Sequence, residues 1–106
     1  MAGTKETSIR SYNFYVDTTL AGTGLYAENV LELVDVDDQT PFLAHTILFS
    51  NDGATDMLFR FSADPTGSAA AHGRVRAGET LQMDFKRVRR VYLQGAAGLA
   101  FRFWAW

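Results

Sequence analysis

Hydrophobic and polar residues alternate with a period of two along most of this chain, which is the pattern of β-strands that bury one face. In one clear example, Met57, Phe59 and Phe61 share one side of the segment 57–62. The same pattern predicts strands in segments 8–16, 30–36, 42–50, 57–62, 74–77, 80–85, 91–94 and 99–106. Turn-forming residues separate these segments, and no segment has a pattern that predicts more than one turn of helix. We therefore expect an all-β domain with seven to eight strands, either a sandwich or a small barrel.

Two details of this pattern carry specific expectations. The segment 42–50 places His45 on the same, core-facing side as Ile47 and Phe49. Directly after it comes Asn51-Asp52-Gly53, three residue types that tolerate the positive φ of tight turns, which predicts a hairpin between segments 42–50 and 57–62.

The last segment, 99–106, is the most unusual one. One face carries Leu99, Phe101, Phe103 and Ala105, and the other carries Ala100, Arg102, Trp104 and Trp106. A half-buried strand has one polar face, whereas this strand has bulky side chains on both. It therefore belongs inside a sheet, and its second face needs a cover, either from the same domain or from another molecule.

Length and composition indicate one globular domain. The chain has 106 residues, with 47% hydrophobic and 21% charged residues, so disorder of the whole chain is excluded. We assign residues 8–106 to the β-sandwich and the polar residues 1–7 to a flexible arm. The chain has no cysteine and neither a secretory signal nor a membrane segment, which indicates production in the cytoplasm.

The charges are distributed unevenly, although the net charge is only −2. Residues 1–53 contain eight acidic and two basic residues, while residues 54–106 contain four acidic and eight basic residues. Both sets can be solvated faces of one domain. Alternatively, patches of opposite sign can meet between neighbouring copies.

Candidate catalytic and metal-binding residues are few and lie in no recognisable motif. His45 and His72 have no nucleophile motif beside them, so we predict that the protein is not an enzyme. Asp35, Asp37 and Asp38 could offer oxygen ligands to calcium, but the glycine and glutamate of an EF-hand loop are missing. Paired carboxylates for glycoside hydrolysis are no better indicated, because Asp52, Asp56 and Asp64 are ordinary turn acids. We therefore expect no metal and no cofactor.

A basic cluster is the better candidate for a binding surface. It contains Lys86, Arg87, Arg89 and Arg90, and further arginines occur at positions 74, 76 and 102. Nucleic acid is a possible partner of such a cluster, but the chain is acidic overall and has no RNA-binding motif of aromatic and glycine residues. A protein interface or a solvated face is the favoured interpretation.

Residues 47–106 resemble small virion proteins of tailed bacteriophages. The resemblance is one of layout, and it is carried by three motifs: Asn51-Asp52-Gly53, Ala77-Gly78-Glu79-Thr80-Leu81 and Val91-Tyr92-Leu93. It implies a jelly-roll-like sandwich that decorates or cements a capsid or joins tail parts, without catalytic residues.

These observations give the following expectations. The protein is a virion component that binds the major capsid protein or another virion protein, forms a homo-oligomer, and contacts neither membrane nor nucleic acid. Its interface residues are expected to be Phe103, Trp104, Trp106, Arg87, Arg89 and Arg90. The alternatives are a carbohydrate-binding or host-recognition module, with the tryptophans as a sugar platform, a tail-associated structural protein, and a small barrel enzyme that uses His45 or His72.

Overall fold

Eight β-strands form two antiparallel sheets in the part of the chain that the structure describes. The structure is a computed structural model, and it describes residues 12–61 and 71–106, without the side chains of residues 85 and 86. The strands are β1 (Phe14–Thr19), β2 (Val30–Glu32), β3 (Ala44–Asn51), β4 (Met57–Arg60), β5 (Gly73–Val75), β6 (Thr80–Val88), β7 (Arg90–Gln94) and β8 (Ala100–Ala105). One turn of 3-10 helix, Tyr26–Glu28, precedes β2. The arm expected at residues 1–7 lies outside the described residues.

Consecutive strands lie in different sheets, except β4 and β5, which are neighbours in the same sheet. Sheet I has the order β1-β8-β3-β6 and sheet II has the order β2-β7-β4-β5. Every pair of neighbouring strands is antiparallel. The all-β class predicted from the alternation is confirmed, and the architecture is that of a β-sandwich.

The two sheets bury a common core of aliphatic and aromatic side chains. Phe49 of sheet I stacks on Phe59 of sheet II, with 4.7 Å between the ring centroids. Phe103 lies against Phe49, with 5.1 Å between their rings. Burial of such large side chains contributes about 1.5–3 kcal/mol each, so this aromatic cluster stabilises the packing of sheet on sheet.

The connection after β3 differs from its prediction. Strands β3 and β4 belong to different sheets, so Asn51-Asp52-Gly53 does not form a hairpin but begins a crossover from sheet I to sheet II. None of these three residues has a positive φ. Asn51 instead is buried and donates hydrogen bonds from Nδ2 to the carbonyl oxygens of Thr55 (2.8 Å) and Val75 (2.9 Å). The asparagine thus stabilises the crossover through its side chain rather than through an unusual backbone conformation.

A bulge in β3 overturns the position predicted for His45. The pairing of β3 with β6 shifts register between Ala44 and Thr46, and the Trp106 carbonyl accepts hydrogen bonds from the backbone N–H groups of both His45 and Thr46. The extra residue reverses the side-chain alternation. Ala44, Ile47 and Phe49 face the core, and His45 is exposed.

The alternation predicted for the last strand is confirmed, and it corrects one of the expected interface residues. Phe101, Phe103 and Ala105 are buried in the core, whereas Arg102, Trp104 and Trp106 on the opposite face are partly exposed. Phe103 is 0% exposed, so it cannot contact a partner molecule while the domain is folded.

Candidate functional site: the outer face of sheet I

The outer face of sheet I carries a row of large side chains across all four strands. Tyr15 on β1 lies opposite Trp104 on β8, Trp104 lies opposite Leu48 on β3, and Leu48 lies opposite Gln82 on β6. The Tyr15 and Trp104 rings are 5.2 Å apart, and Tyr12 extends the row at 5.7 Å from Tyr15.

Trp106 lies on the same face by strand alternation, since its backbone N–H donates to the Thr46 carbonyl and continues the pairing of β8 with β3. We call the following set the outer aromatic face: Tyr12, Tyr15, Leu48, Trp104 and Trp106. Tyr15 is 37% exposed, and the other four are of intermediate exposure. Their own domain therefore leaves them partly uncovered.

A second, polar row runs beside the aromatic one. It consists of residues at facing positions on the four strands, Asp17, Arg102, Ser50 and Thr80. The Arg102 guanidinium group donates from Nε and Nη2 to the two carboxylate oxygens of Asp52, at 2.7 and 2.9 Å, and from Nη2 to the Ser50 hydroxyl, at 3.0 Å. Such a bidentate contact fixes the orientation of the guanidinium plane.

Arg102 also joins the polar row to the aromatic row. Its Cζ atom lies 5.5 Å from the Trp104 ring centroid, within range of a cation–π interaction. The hydrogen bonds from Arg102 hold the pKa of the Asp52 carboxyl below its usual range. Burial and the nearby Asp17 carboxylate raise the pKa of the Tyr15 hydroxyl. The face thus presents rigid aromatic groups beside oriented hydrogen-bonding groups.

The three predicted interface arginines lie together at a cavity that no residue of the outer aromatic face lines. Arg87, Arg89 and Arg90 line a cavity of about 160 Å3 together with Phe61, Val88 and Tyr92, which we call the arginine cavity. Arg90 is already paired within the chain, because its Nε donates to both carboxylate oxygens of Glu32, at 2.8 and 2.7 Å. Arg87 and Arg89 are exposed and form no ion pair with any described residue.

The histidines and turn acids weighed from the sequence have local structural contacts. The exposed His72 accepts a hydrogen bond at Nδ1 from the Phe61 backbone N–H, at 3.0 Å. The Asp35 carboxylate accepts a hydrogen bond from the Asn13 amide, at 2.9 Å, and another from the backbone N–H of Asp37, at 2.8 Å. Within residues 12–61 and 71–106, no three acidic or histidine side chains are grouped as metal ligands. Asp64 lies outside the described residues.

Sequence reasoning missed Tyr15, Leu48 and Asp52 as members of the site. Alternation could have identified Tyr15, because it lies between Phe14 and Val16 in the strand and its side chain therefore points to the opposite, outer face of β1.

No helix in the described part of the chain has the length and apolar character needed to cross a membrane. Comparisons with protein-family models, curated proteins and solved structures found no match to the chain.

Proposed function

We propose that this chain is a non-enzymatic jelly-roll protein that binds the surface of a virion, as a capsid decoration or cement protein, through the outer aromatic face. The observation that carries the proposal is the row formed by Tyr15, Trp104 and Leu48 on an open sheet face. Aromatic residues beside arginine are the composition that dominates the energy of protein interfaces.

The strand order supports the jelly-roll part of the proposal. Strands β1 and β8, β2 and β7, β3 and β6, and β4 and β5 are all antiparallel neighbours. This is the set of pairs obtained when one long hairpin is folded over into two four-stranded sheets, and viral capsid domains are among the proteins built on that arrangement. The resemblance of residues 47–106 to phage virion proteins supports the same assignment.

The chemistry of the polar row beside the outer aromatic face supports binding rather than catalysis. Its hydrogen-bonding groups are engaged locally, since Arg102 donates to Asp52 and Ser50 and the Thr80 hydroxyl lies 3.3 Å from that of Ser50. Groups held in this way orient a contact surface, and many copies on a particle raise the total affinity without strong single contacts.

The proposal is tested by a double variant, Trp104→Ala with Trp106→Ala, in a binding assay on particles of the encoding virus prepared without the protein. We expect at least a ~10-fold loss of affinity, as for truncation of hot-spot residues. The matched control is Leu25→Ala, which truncates a hydrophobic side chain that is 50% exposed outside the outer aromatic face. Unchanged particle binding and unchanged light-scattering mass of the folded double variant would refute the proposal.

One observation favours carbohydrate binding as a second candidate. The outer aromatic face lies directly beside a polar row, and an aromatic platform next to oriented hydrogen-bond groups is also suited to stacking and binding a sugar ring. Glycan binding by a monomeric protein, lost in the Trp104→Ala variant, would favour this candidate over the virion-surface role.

A further inference from the structure

We propose that the arginine cavity binds one carboxylate group, presented by an acidic side chain of a protein partner. The inference deepens the proposed function and rests on it, since the partner is taken to be a protein of the particle. It concerns residues other than those of the outer aromatic face, and it therefore makes separate predictions.

The size of the cavity limits its ligand to a single small group. A volume of about 160 Å3 lies well below the roughly 300–1,000 Å3 of sites that enclose cofactors and drug-sized molecules. One side chain inserted from a neighbouring protein fits this scale. Insertion of that side chain would bury only its end in the cavity, and the rest of the partner protein would contact the surface around the cavity opening.

The charges of the cavity select an anion with two oxygen atoms. Three guanidinium groups line the cavity, and among the described residues only Glu32 forms an ion pair with one of them, Arg90. Arg87 and Arg89 therefore keep their donors available toward solvent. The planar guanidinium fork matches a carboxylate in geometry, which gives a bidentate contact that lysine cannot make.

The remaining walls strengthen such a contact. Val88 and Tyr92 are 5% exposed each, and Phe61 is half-buried. A carboxylate side chain seated against these apolar groups would displace water from them, and a hydrogen bond between charged groups is stronger where water is displaced than on an open surface. The methylene groups of a glutamate side chain would pack against the same walls.

The structure favours a protein carboxylate over a nucleic acid. A nucleic acid requires a basic groove that follows several phosphates, together with aromatic platforms for its bases. Here Glu32 neutralises Arg90, and the chain as a whole has a net charge of −2. Two available arginines at a small cavity match one anionic group and not a continuous backbone.

The first test measures the cavity in isolation, with propionate as the probe of a carboxylate. Arginine Nε–Hε resonances of the full chain are followed by NMR during titration with sodium propionate against sodium chloride at equal ionic strength. We expect saturable shifts of the Arg87 and Arg89 resonances with propionate only. The backbone amide resonance of Val88, which also lines the cavity, should shift with propionate in the wild type and in Arg76→Gln, an exposed arginine outside the cavity, and should no longer shift in the double variant Arg87→Gln with Arg89→Gln. Equal shifts with chloride, or binding of oligonucleotides lost in the double variant, would overturn the inference.

The second test separates failure of this inference from failure of the proposed function. In the particle-binding assay we expect the double arginine variant to lose at least ~10-fold in affinity and Arg76→Gln to lose no more than ~2-fold. If the wild type binds particles and both variants bind equally well, the arginine cavity has no role and the proposed function stands. If the wild type does not bind particles, the proposed function fails.

Discussion

The Tyr15 and Trp104 rings pack against each other across the strands β1 and β8, with their centroids 5.2 Å apart and their planes inclined at 41°. The two residues occupy directly facing positions of the antiparallel pair. A cross-strand aromatic pair stabilises a sheet by about 0.2–1 kcal/mol, and it gives that benefit whether or not a partner covers it. Its partial exposure on an open sheet face is what makes it a candidate contact surface.

Asn51 is predicted to be the most important polar side chain for stability. The variant Asn51→Ala removes the side-chain donors to the Thr55 and Val75 carbonyl oxygens and the side-chain acceptor for the Gly53 backbone N–H. We expect the free energy of unfolding to fall by about 2–4 kcal/mol in urea denaturation, because three hydrogen bonds are lost and the bond to Val75 that goes is a buried one.

The matched control for that experiment is Asn13→Ala. The Asn13 side chain is less buried and donates a hydrogen bond to Asp35, at 2.9 Å, so we expect a loss of about 1 kcal/mol. A loss at Asn51 no larger than that at Asn13 would show that its hydrogen bonds do not hold the crossover.

The contact between Asp52 and Arg102 predicts a specific dependence of stability on pH. Because the Arg102 hydrogen bonds lower the pKa of Asp52 in the folded protein, the contact stabilises the fold at pH values above the unfolded pKa of about 3.9. This stability is lost as the pH falls through the lower, folded pKa. We expect the difference in unfolding free energy between the wild type and Asp52→Asn to be constant from pH 7 to about pH 5 and to shrink below about pH 4.

The measurement is chemical denaturation of both proteins at matched ionic strength across this range. Since all other acids titrate in both proteins, the difference isolates residue 52. A difference of the same size at pH 3 and at pH 7 would mean that the charge of Asp52 contributes nothing to the contact with Arg102.

Substitutions at two glycines allow the cost of backbone strain to be measured apart from the cost of steric overlap. Gly24 and Gly78 both have positive φ, at 84° and 76°, but a side chain at Gly24 would overlap the Gly95 carbonyl oxygen, whereas Gly78 has no atom within 4 Å of the added group. We expect Gly78→Ala to cost about 1–2 kcal/mol, the cost of a left-handed conformation. Gly24→Ala should cost more than twice as much or prevent folding. Equal melting temperatures of the two variants would contradict this account.

The sequence alone located the strands because alternation within a strand is a local signal, but it missed their ends: β1 runs to Thr19 rather than residue 16, and β2 ends at Glu32 rather than residue 36. It assigned Phe101 and Trp104 to opposite faces of the last strand, as observed. Two local expectations failed for physical reasons. The bulge at His45 depends on hydrogen bonds from His45 and Thr46 to the carbonyl of the distant Trp106, and the residues at Asn51 do not reveal which sheet the next strand joins.

The candidate site was harder to predict, because its residues come from different strands and only the register of strand pairing brings them together. Trp104 and the arginines were identified from composition, but nothing in a single strand indicates that Tyr15 lies beside Trp104 or that Glu32 neutralises Arg90. These pairs are far apart in the chain, and only the pairing of whole strands brings them together.

The most direct test of the central proposal uses the absence of cysteine from the chain, which allows a single thiol to be introduced at a chosen position. Gln82→Cys reports on the outer face of sheet I, beside Leu48, and Leu25→Cys reports on an exposed position outside the outer aromatic face. Labelling rates with a maleimide reagent are measured for free and for particle-bound protein. The account predicts that particle binding slows labelling at residue 82 by at least ~10-fold and leaves residue 25 unchanged, because the interface core excludes solvent. Unchanged labelling at residue 82 in protein shown to be particle-bound would contradict it.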